Sequence, residues 1–247
     1  MAYKSGFVSI IGRPNVGKST LLNKILGQKI VITSDKPQTT RRRIRGIYTT
    51  EKGQIIFVDT PGVHRPLHKL GEFLLEEVKI AIPDSDLILF IADGTEKAGA
   101  GDKWIADNLL SSDNSIIMVI NKVDQIKSIE KRDEIILSYK ELFKEKTIPV
   151  IKISAKTGRN IDDLIKNIYR KLPAGPQYYP DEEVTDQNVR SIAEETIREK
   201  ILQNTREEVP HGTAVMIEFY QEKDNLVKIS ANIFVEQDSQ KGIIIEI

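Results

Sequence analysis

Nine residues constrain this chain more than any others: Gly12-Arg13-Pro14-Asn15-Val16-Gly17-Lys18-Ser19-Thr20. They follow an apolar run, Phe7 to Ile11, and precede a helical pattern, Leu21 to Leu26, closed by Gly27. Gly, four residues, Gly, Lys, then Ser or Thr is the signature of a loop that wraps phosphate, and strand–loop–helix is the context it requires. Gly12 and Gly17 permit positive φ and a close backbone approach. Successive N–H groups can then turn inward on an anion, aided by the positive end of the helix that starts near Lys18. In that arrangement Lys18 reaches the β and γ phosphates and the Ser19 hydroxyl binds Mg²⁺. A ligand-free glycine-rich turn is the alternative, and the flanking strand and helix argue against it.

The runs Phe7–Ile11, Ile55–Asp59, Leu87–Ala92, Ile116–Ile120 and Pro149–Ile153 are rich in Ile, Val and Leu and barely alternate. Such strands are buried on both faces of a parallel sheet. Helical patterns fall among them at Ser19–Leu26, Leu67–Ala81, Asp102–Leu110, Ile129–Lys144 and Ile161–Lys171. The alternation predicts an α/β fold: a mostly parallel six-stranded sheet with right-handed crossovers and helices on both faces. Arg42–Thr49 and Gln54–Val58 read as a hairpin around Glu51-Lys52-Gly53, which makes one strand antiparallel. Ligands of such sheets bind at the carboxyl ends of the strands, where Gly12 lies.

The chain changes character at its second end. Residues 172–186 carry three prolines, a glycine and several acids, so 1–173 is expected as one domain and 174–187 as a linker. Asn188–Asn204 then reads as a helix with Val189, Ile192, Ala193, Thr196, Ile197, Ile201 and Leu202 on one face. Two alternating runs follow, Ala214–Tyr220 and Leu226–Val235. A helix and a two-stranded hairpin are too little to fold alone. From Ala174 onward seven Lys and Arg face fifteen Asp and Glu, a net −8, so the remainder carries +8 of a total of zero. An acidic segment is a poor match for nucleic acid, whose phosphates dominate binding. The chain has no cysteine, which excludes disulfides and thiolate metal sites. No apolar run approaches the roughly 20 residues of a membrane span.

Three more segments sit at predicted strand ends. Asp59-Thr60-Pro61-Gly62 is an ordinary turn composition, but after a phosphate loop it reads as a switch. Asp59 would reach Mg²⁺ through water, and the Gly62 N–H would meet a γ-phosphate oxygen. In Asn121-Lys122-Val123-Asp124, the Asp124 carboxylate would accept from guanine N1–H and NH₂, a polar match adenine cannot offer. Lys122 would lie along the base. Ser154-Ala155-Lys156 would turn a backbone N–H toward the guanine O6. Thr39 and Thr40 lie in the polar stretch Ser34–Arg43; one of them is expected to bind Mg²⁺ when GTP orders the loop, Thr40 first and Thr39 as the alternative. The basic cluster 41–45 is either a nucleic-acid patch or the charged face of an outer strand. His64 and His68 have no second ligand at metal spacing.

Together with Pro37-Gln38-Thr39-Thr40-Arg41, Val63-His64, Arg198-Glu199-Lys200-Ile201-Leu202 and Glu208-Val209-Pro210-His211, these motifs resemble the translation-factor-like GTPases of the P-loop superfamily. Within them the chain is most similar to a bacterial group that acts in small-subunit ribosome assembly. The resemblance spans nearly the whole chain. It implies GTP hydrolysis to GDP and phosphate, Mg²⁺, and a C-terminal RNA-binding KH domain of type II topology over 188–247. It also implies 16S ribosomal RNA and the 30S subunit as partners, a monomer, and a cytoplasmic protein that can associate peripherally with the inner membrane. The chain departs from that pattern twice. It stops at Lys241–Ile247, where the Gly-x-x-Gly loop that clamps RNA should begin, so a partial KH domain with impaired RNA binding is expected. Val63 stands where Ras-like enzymes place a water-orienting Gln, so intrinsic hydrolysis is expected to be slow. Relatives use an Asn at the position of Asn15 to bind K⁺, a cation that can replace an arginine finger; local backbone capping is the alternative. A tRNA-modifying relative or a P-loop phosphotransferase is the competing assignment. The latter leaves Asn121–Asp124 unexplained.

Overall fold

The computed structural model describes residues 2–34, 36, 39–41, 43–62, 82–144, 146–205, 209, 212–224 and 226–246. The expected helix Leu67–Ala81, together with Val63, His64, His68, Pro37, Gln38, Arg42, Glu208, Pro210 and His211, lies outside them.

Six strands form one sheet in the order β2-β3-β1-β4-β5-β6. They are β1 (Lys4–Ile11), β2 (Ile44–Thr50), β3 (Gly53–Asp59), β4 (Leu87–Asp93), β5 (Ser115–Asn121) and β6 (Val150–Lys152). All pairs are parallel except β2–β3, as the hairpin reading expected. The helices are α1 (Lys18–Leu26), α2 (Ala100–Leu110), α3 (Ile129–Glu141) and α4 (Ile161–Lys171). Continuous apolar strands feed two cores because successive side chains point to opposite faces. Ile10, Leu89 and Val119 pack with Leu21, Leu22 and Leu164 of α1 and α4 on one face. Ile11, Phe90 and Met118 pack with Ile105, Leu109 and Tyr139 of α2 and α3 on the other. Each parallel strand therefore ends on the same rim of the sheet, and that rim carries the phosphate loop and the segments that begin at Asp59, Asn121 and Ser154.

The Pro-rich stretch 174–187 lies along the sheet as a strap. Gln54, fully buried in β3, donates to the Tyr179 carbonyl at 2.8 Å and accepts from the Tyr178 and Tyr179 N–H groups at 2.9 and 3.0 Å. The Phe7 and Tyr178 rings meet at 5.3 Å. On edge strand β2, Ile47 N–H donates to the Val184 carbonyl at 2.9 Å, and Gly46 pairs with Thr185. The strap thus covers part of a sheet edge that would otherwise be open to pairing.

Beyond it come α5 (Val189–Asn204), the antiparallel hairpin β7 (Ala214–Lys223) and β8 (Leu226–Phe234), and α6 (Asp238–Ile245). Residues 238–245, which the sequence reading ended at the start of a loop, form a helix that includes Gly242. The expected apolar face of α5 is also corrected. Val189 is 54% exposed and Thr196 is exposed, whereas Arg198 and Glu199 are buried beside Ile201 and Leu202. The C-terminal half of the helix contacts Lys29, Thr33 and Thr39, where its charged side chains find partners that an apolar face could not supply.

Candidate functional site

The phosphate loop has the strained backbone its sequence called for. Asn15 has φ 63° and Gly17 φ 96°, and Gly17 caps α1 in the left-handed conformation. A Cβ on Gly17 would stand 2.4 Å from Asn121 Nδ2, and one on Gly12 would stand 2.4 Å from the Ile91 carbonyl oxygen. Lys18 is buried, and its Nζ donates to the Gly12 and Arg13 carbonyls at 3.1 and 2.9 Å. Burial pushes its pKa down to about 8, against the pull of Asp59. A cation held by carbonyls inside a loop of inward N–H groups is ready for an anion.

Beside it, Ser19 Oγ donates to Asp59 Oδ2 at 2.8 Å and lies 3.1 Å from Thr40 Oγ1. Asp59 is fully buried, and its other oxygen makes no hydrogen bond among the described residues. Burial raises its pKa to about 6, while Lys18, Ser19 and Thr40 pull it down. Two hydroxyls and a carboxylate with a spare buried oxygen are hard oxygen donors, the set that suits Mg²⁺. Thr39 is placed differently: its hydroxyl donates to the Lys36 carbonyl at 2.7 Å within its own loop. Thr20 and Gly62 join Pro14, Lys18, Ser19 and Thr40 around a cavity of about 60 Å³. Thr60 is turned inward, donating to the Ile10 carbonyl at 2.8 Å, and Pro61 is buried beside it.

Three of the expected ligand residues serve the scaffold with their side chains. Val16 and Val123 are core residues. Arg13 turns away from the loop, with Nε 2.8 Å from Asp102 Oδ2 at the start of α2.

Asn121 has a role that residue type alone did not reveal. Its Nδ2 donates to the Val16 carbonyl at 2.8 Å and its Oδ1 accepts from the Ala155 N–H at 2.9 Å. One buried amide therefore ties the phosphate loop, the end of β5 and the 154–156 loop together. The Ser154 N–H is engaged as well, by the Arg159 carbonyl at 3.2 Å. Of the three N–H groups expected to serve guanine O6, that of Lys156 is the one not used inside the described protein. Lys122, with φ 62°, reaches Asp93 Oδ2 at 2.6 Å. Burial raises the Asp93 pKa, but Lys122 and Thr95 outweigh it and hold the carboxyl below its usual range. Asp124 is exposed in a short 3₁₀ turn, Val123–Gln125. It opens into a cavity of about 590 Å³ shared with Asn15, Gly17, Asn121, Lys122 and Lys156.

Lys29, Thr33, Lys36 and Thr39, which flank or follow the buried Val31 and Ile32, are held from α5 and the residue that caps it. Glu199 accepts from the Thr33 N–H at 3.0 Å and pairs with Lys29; Arg198 donates to the Thr39 carbonyl, and Lys36 to that of Thr205. The basic cluster is drawn the same way. Arg41 donates to the Thr213 carbonyl at 2.8 Å, and Arg45 lies 3.4 Å from Asp186. These ties were not foreseen; the available signal was a pair of opposite charges, Arg198 and Glu199, abutting the apolar residues of one helix.

A phosphate loop joined by Asn121 to a base-reading turn on a doubly covered parallel sheet defines the P-loop nucleotide-binding class. The comparisons narrow it. A family model described as "50S ribosome-binding GTPase" matches residues 7–122. GTPase Era of Nostoc sp. is 52% identical over 98% of this chain and 74% of its own length. GTPase Era of Halothermothrix orenii is 49% identical over 99% of this chain and 82% of its own. A crystal structure of Era in complex with MgGDPNP and nucleotides 1506–1542 of 16S ribosomal RNA superposes with a TM-score of 0.92 at 39% identity, covering 98% of this chain and 82% of that one. The chain belongs to the Era family of GTPases.

Proposed function

We propose that this chain is a GTP-hydrolysing switch of 30S subunit assembly: a GTPase domain (1–173), a strap (174–187) and a partial KH domain (188–247) that contacts 16S ribosomal RNA. The observation that carries the reading is the single cavity with the phosphate loop at one end and an exposed Asp124 at the other, spanned by Asn121. Its closest support from a relative is the Era structure that holds both MgGDPNP and a 16S segment.

In this reading the N–H groups of 12–20 and the Lys18 charge hold the phosphates, and Ser19, Thr40 and Asp59 hold Mg²⁺. Bound there, Mg²⁺ would neutralise charge on the β and γ phosphates. The Gly62 N–H faces the γ-phosphate, and Asp124 selects guanine through N1–H and NH₂. Loss of the γ-phosphate frees the stretch 36–43, the output of the switch. Asn15 lines both cavities and is the protein ligand for a K⁺ that compensates for the absent glutamine at Val63. Faster phosphate release from GTP in K⁺ than in Na⁺ buffer supports this, and equal rates refute it. The acidic balance of strap and arm, with few Lys and Arg to neutralise phosphates, makes RNA binding by 174–247 weak. The same reading has a monomer with peripheral membrane association; no helix among the described residues is long and apolar enough to cross a membrane.

The test of the central claim is Asp124→Asn. Losing a charged acceptor of two hydrogen bonds lowers GDP affinity about 10- to 100-fold and admits xanthosine diphosphate, which has the reciprocal donor pattern. Unchanged GDP binding refutes the guanine assignment.

A further inference from the structure

We infer that helix α5, beyond the strap, is itself part of the nucleotide site, and that the Gln203 side chain meets the sugar of the bound nucleotide. The inference rests on the guanine-nucleotide reading above. The 590 Å³ cavity is lined by Asp124 and its neighbours at the base end and by Asn15 and Gly17 at the phosphate end. Its remaining walls come from two segments assigned to neither end: the stretch at Thr33–Ser34 and the α5 residues Leu202 and Gln203. A nucleotide stretched between phosphate loop and base turn has only its sugar in that space.

The chemistry suits the position. Leu202 is buried and anchors the helix, whereas Gln203 is exposed to the cavity. The described contact of its amide is a long one, 3.3 Å from Lys200 Nζ to Oε1, so the group is free to turn. Sugar hydroxyls donate and accept, and a primary amide does both. Placement is secured by buried charges one turn back: Glu199 accepts from the Thr33 N–H at 3.0 Å, and Arg198 donates to the Thr39 carbonyl. The helix is thus fixed to the same stretch that forms the other wall. A side chain from the far end of the sequence then contributes to nucleotide retention.

Release of radiolabelled GDP and of 2′,3′-dideoxy-GDP, chased with unlabelled GDP, tests this in the full chain and in Gln203→Ala. Gln203 is exposed, so a circular-dichroism melt of the variant should match the parent. The expected result is that Gln203→Ala speeds GDP release about three- to tenfold, the factor one neutral hydrogen bond supplies. Dideoxy-GDP should leave the parent faster by a similar factor and gain nothing further in the variant. Unchanged GDP release in Gln203→Ala overturns the inference, and so does an acceleration that is equally large with dideoxy-GDP. Failure of the parent to bind GDP at all overturns the guanine reading and the inference with it. That outcome is distinct from normal binding with an indifferent Gln203.

Discussion

The central sheet and the C-terminal hairpin are both written in apolar strands, yet they stand in opposite environments. Every residue of β3 and β4 is buried. In β7 only Ile217 is buried and in β8 nothing is; Met216, Phe219, Leu226 and Phe234 are 43–70% exposed. The sheet has helices on both faces and the strap along part of its β2 edge, whereas the two hairpin strands pack mainly on α5 among the described residues. Apolar area removed from water stabilises by about 25 cal/mol per Å², so the sheet is ordered by its own burial. A lone hairpin is marginal, and here it is tied to the rest by polar contacts: Glu194 to the Ile217 N–H, Arg41 to Thr213, and Glu199 to Thr33. One region is held by shape and area, the other by a few buried hydrogen bonds. The candidate site lies at the carboxyl rim of the sheet; α5 lines its larger cavity, and no described hairpin residue does.

That contrast can be broken first at Phe90, which is fully buried between Tyr139 and Phe143. Phe90→Ala should cost about 3–5 kcal/mol of global stability, measured by urea unfolding. Glu199→Ala comes next. It strips the acceptor from the buried Thr33 N–H and should cost about 1–3 kcal/mol. Hydrogen exchange should quicken at Thr33 while β4 stays protected; equal quickening in both would mean that the two regions unfold as one. The site has its own pH signature. Asp59 must be ionised to bind Mg²⁺ and its pKa is about 6, so Mg²⁺ affinity should fall about tenfold per pH unit below 6. Lys18, at about 8, loses its charge as pH rises, so nucleotide affinity should decline above 8. Calorimetric titrations from about pH 5 to about pH 9, roughly one unit beyond each value, check both limbs. The smallest effect belongs to the hairpin. Phe234→Ala, at a side chain already 51% exposed, should shift stability by no more than about 0.5 kcal/mol. A shift as large as that of Phe90→Ala would erase the contrast.

Much of this was legible in the residues because it depends on local pattern. Unbroken Ile, Val and Leu runs between helical periods specify strands buried on both faces. A Gly-x-x-x-x-Gly-Lys-Ser run specifies a loop with positive φ, and the structure has it at Asn15 and Gly17. Periodicity misreads the buried face of α5 because it counts apolar residues and cannot see Arg198 and Glu199 finding partners 159 to 170 positions away. Gln54 was equally silent: a polar residue in a strand reads as solvent-facing until the strap arrives to satisfy both ends of its amide. Asn121 was identified by its motif, but its work as a bridge depends on Val16 and Ala155, which only folding brings within reach.

From the sequence alone came the phosphate loop, the order of strands and helices, and the three strand-end segments that surround the cavity. These follow from backbone geometry and side-chain periodicity, which act over a few residues. The tertiary structure decided which groups of the distant C-terminal helix are buried, which threonine stands beside Ser19, and which residues close the cavity. Those outcomes are set by long-range pairing of buried polar groups, and a buried charge is tolerated only where the fold supplies its partner.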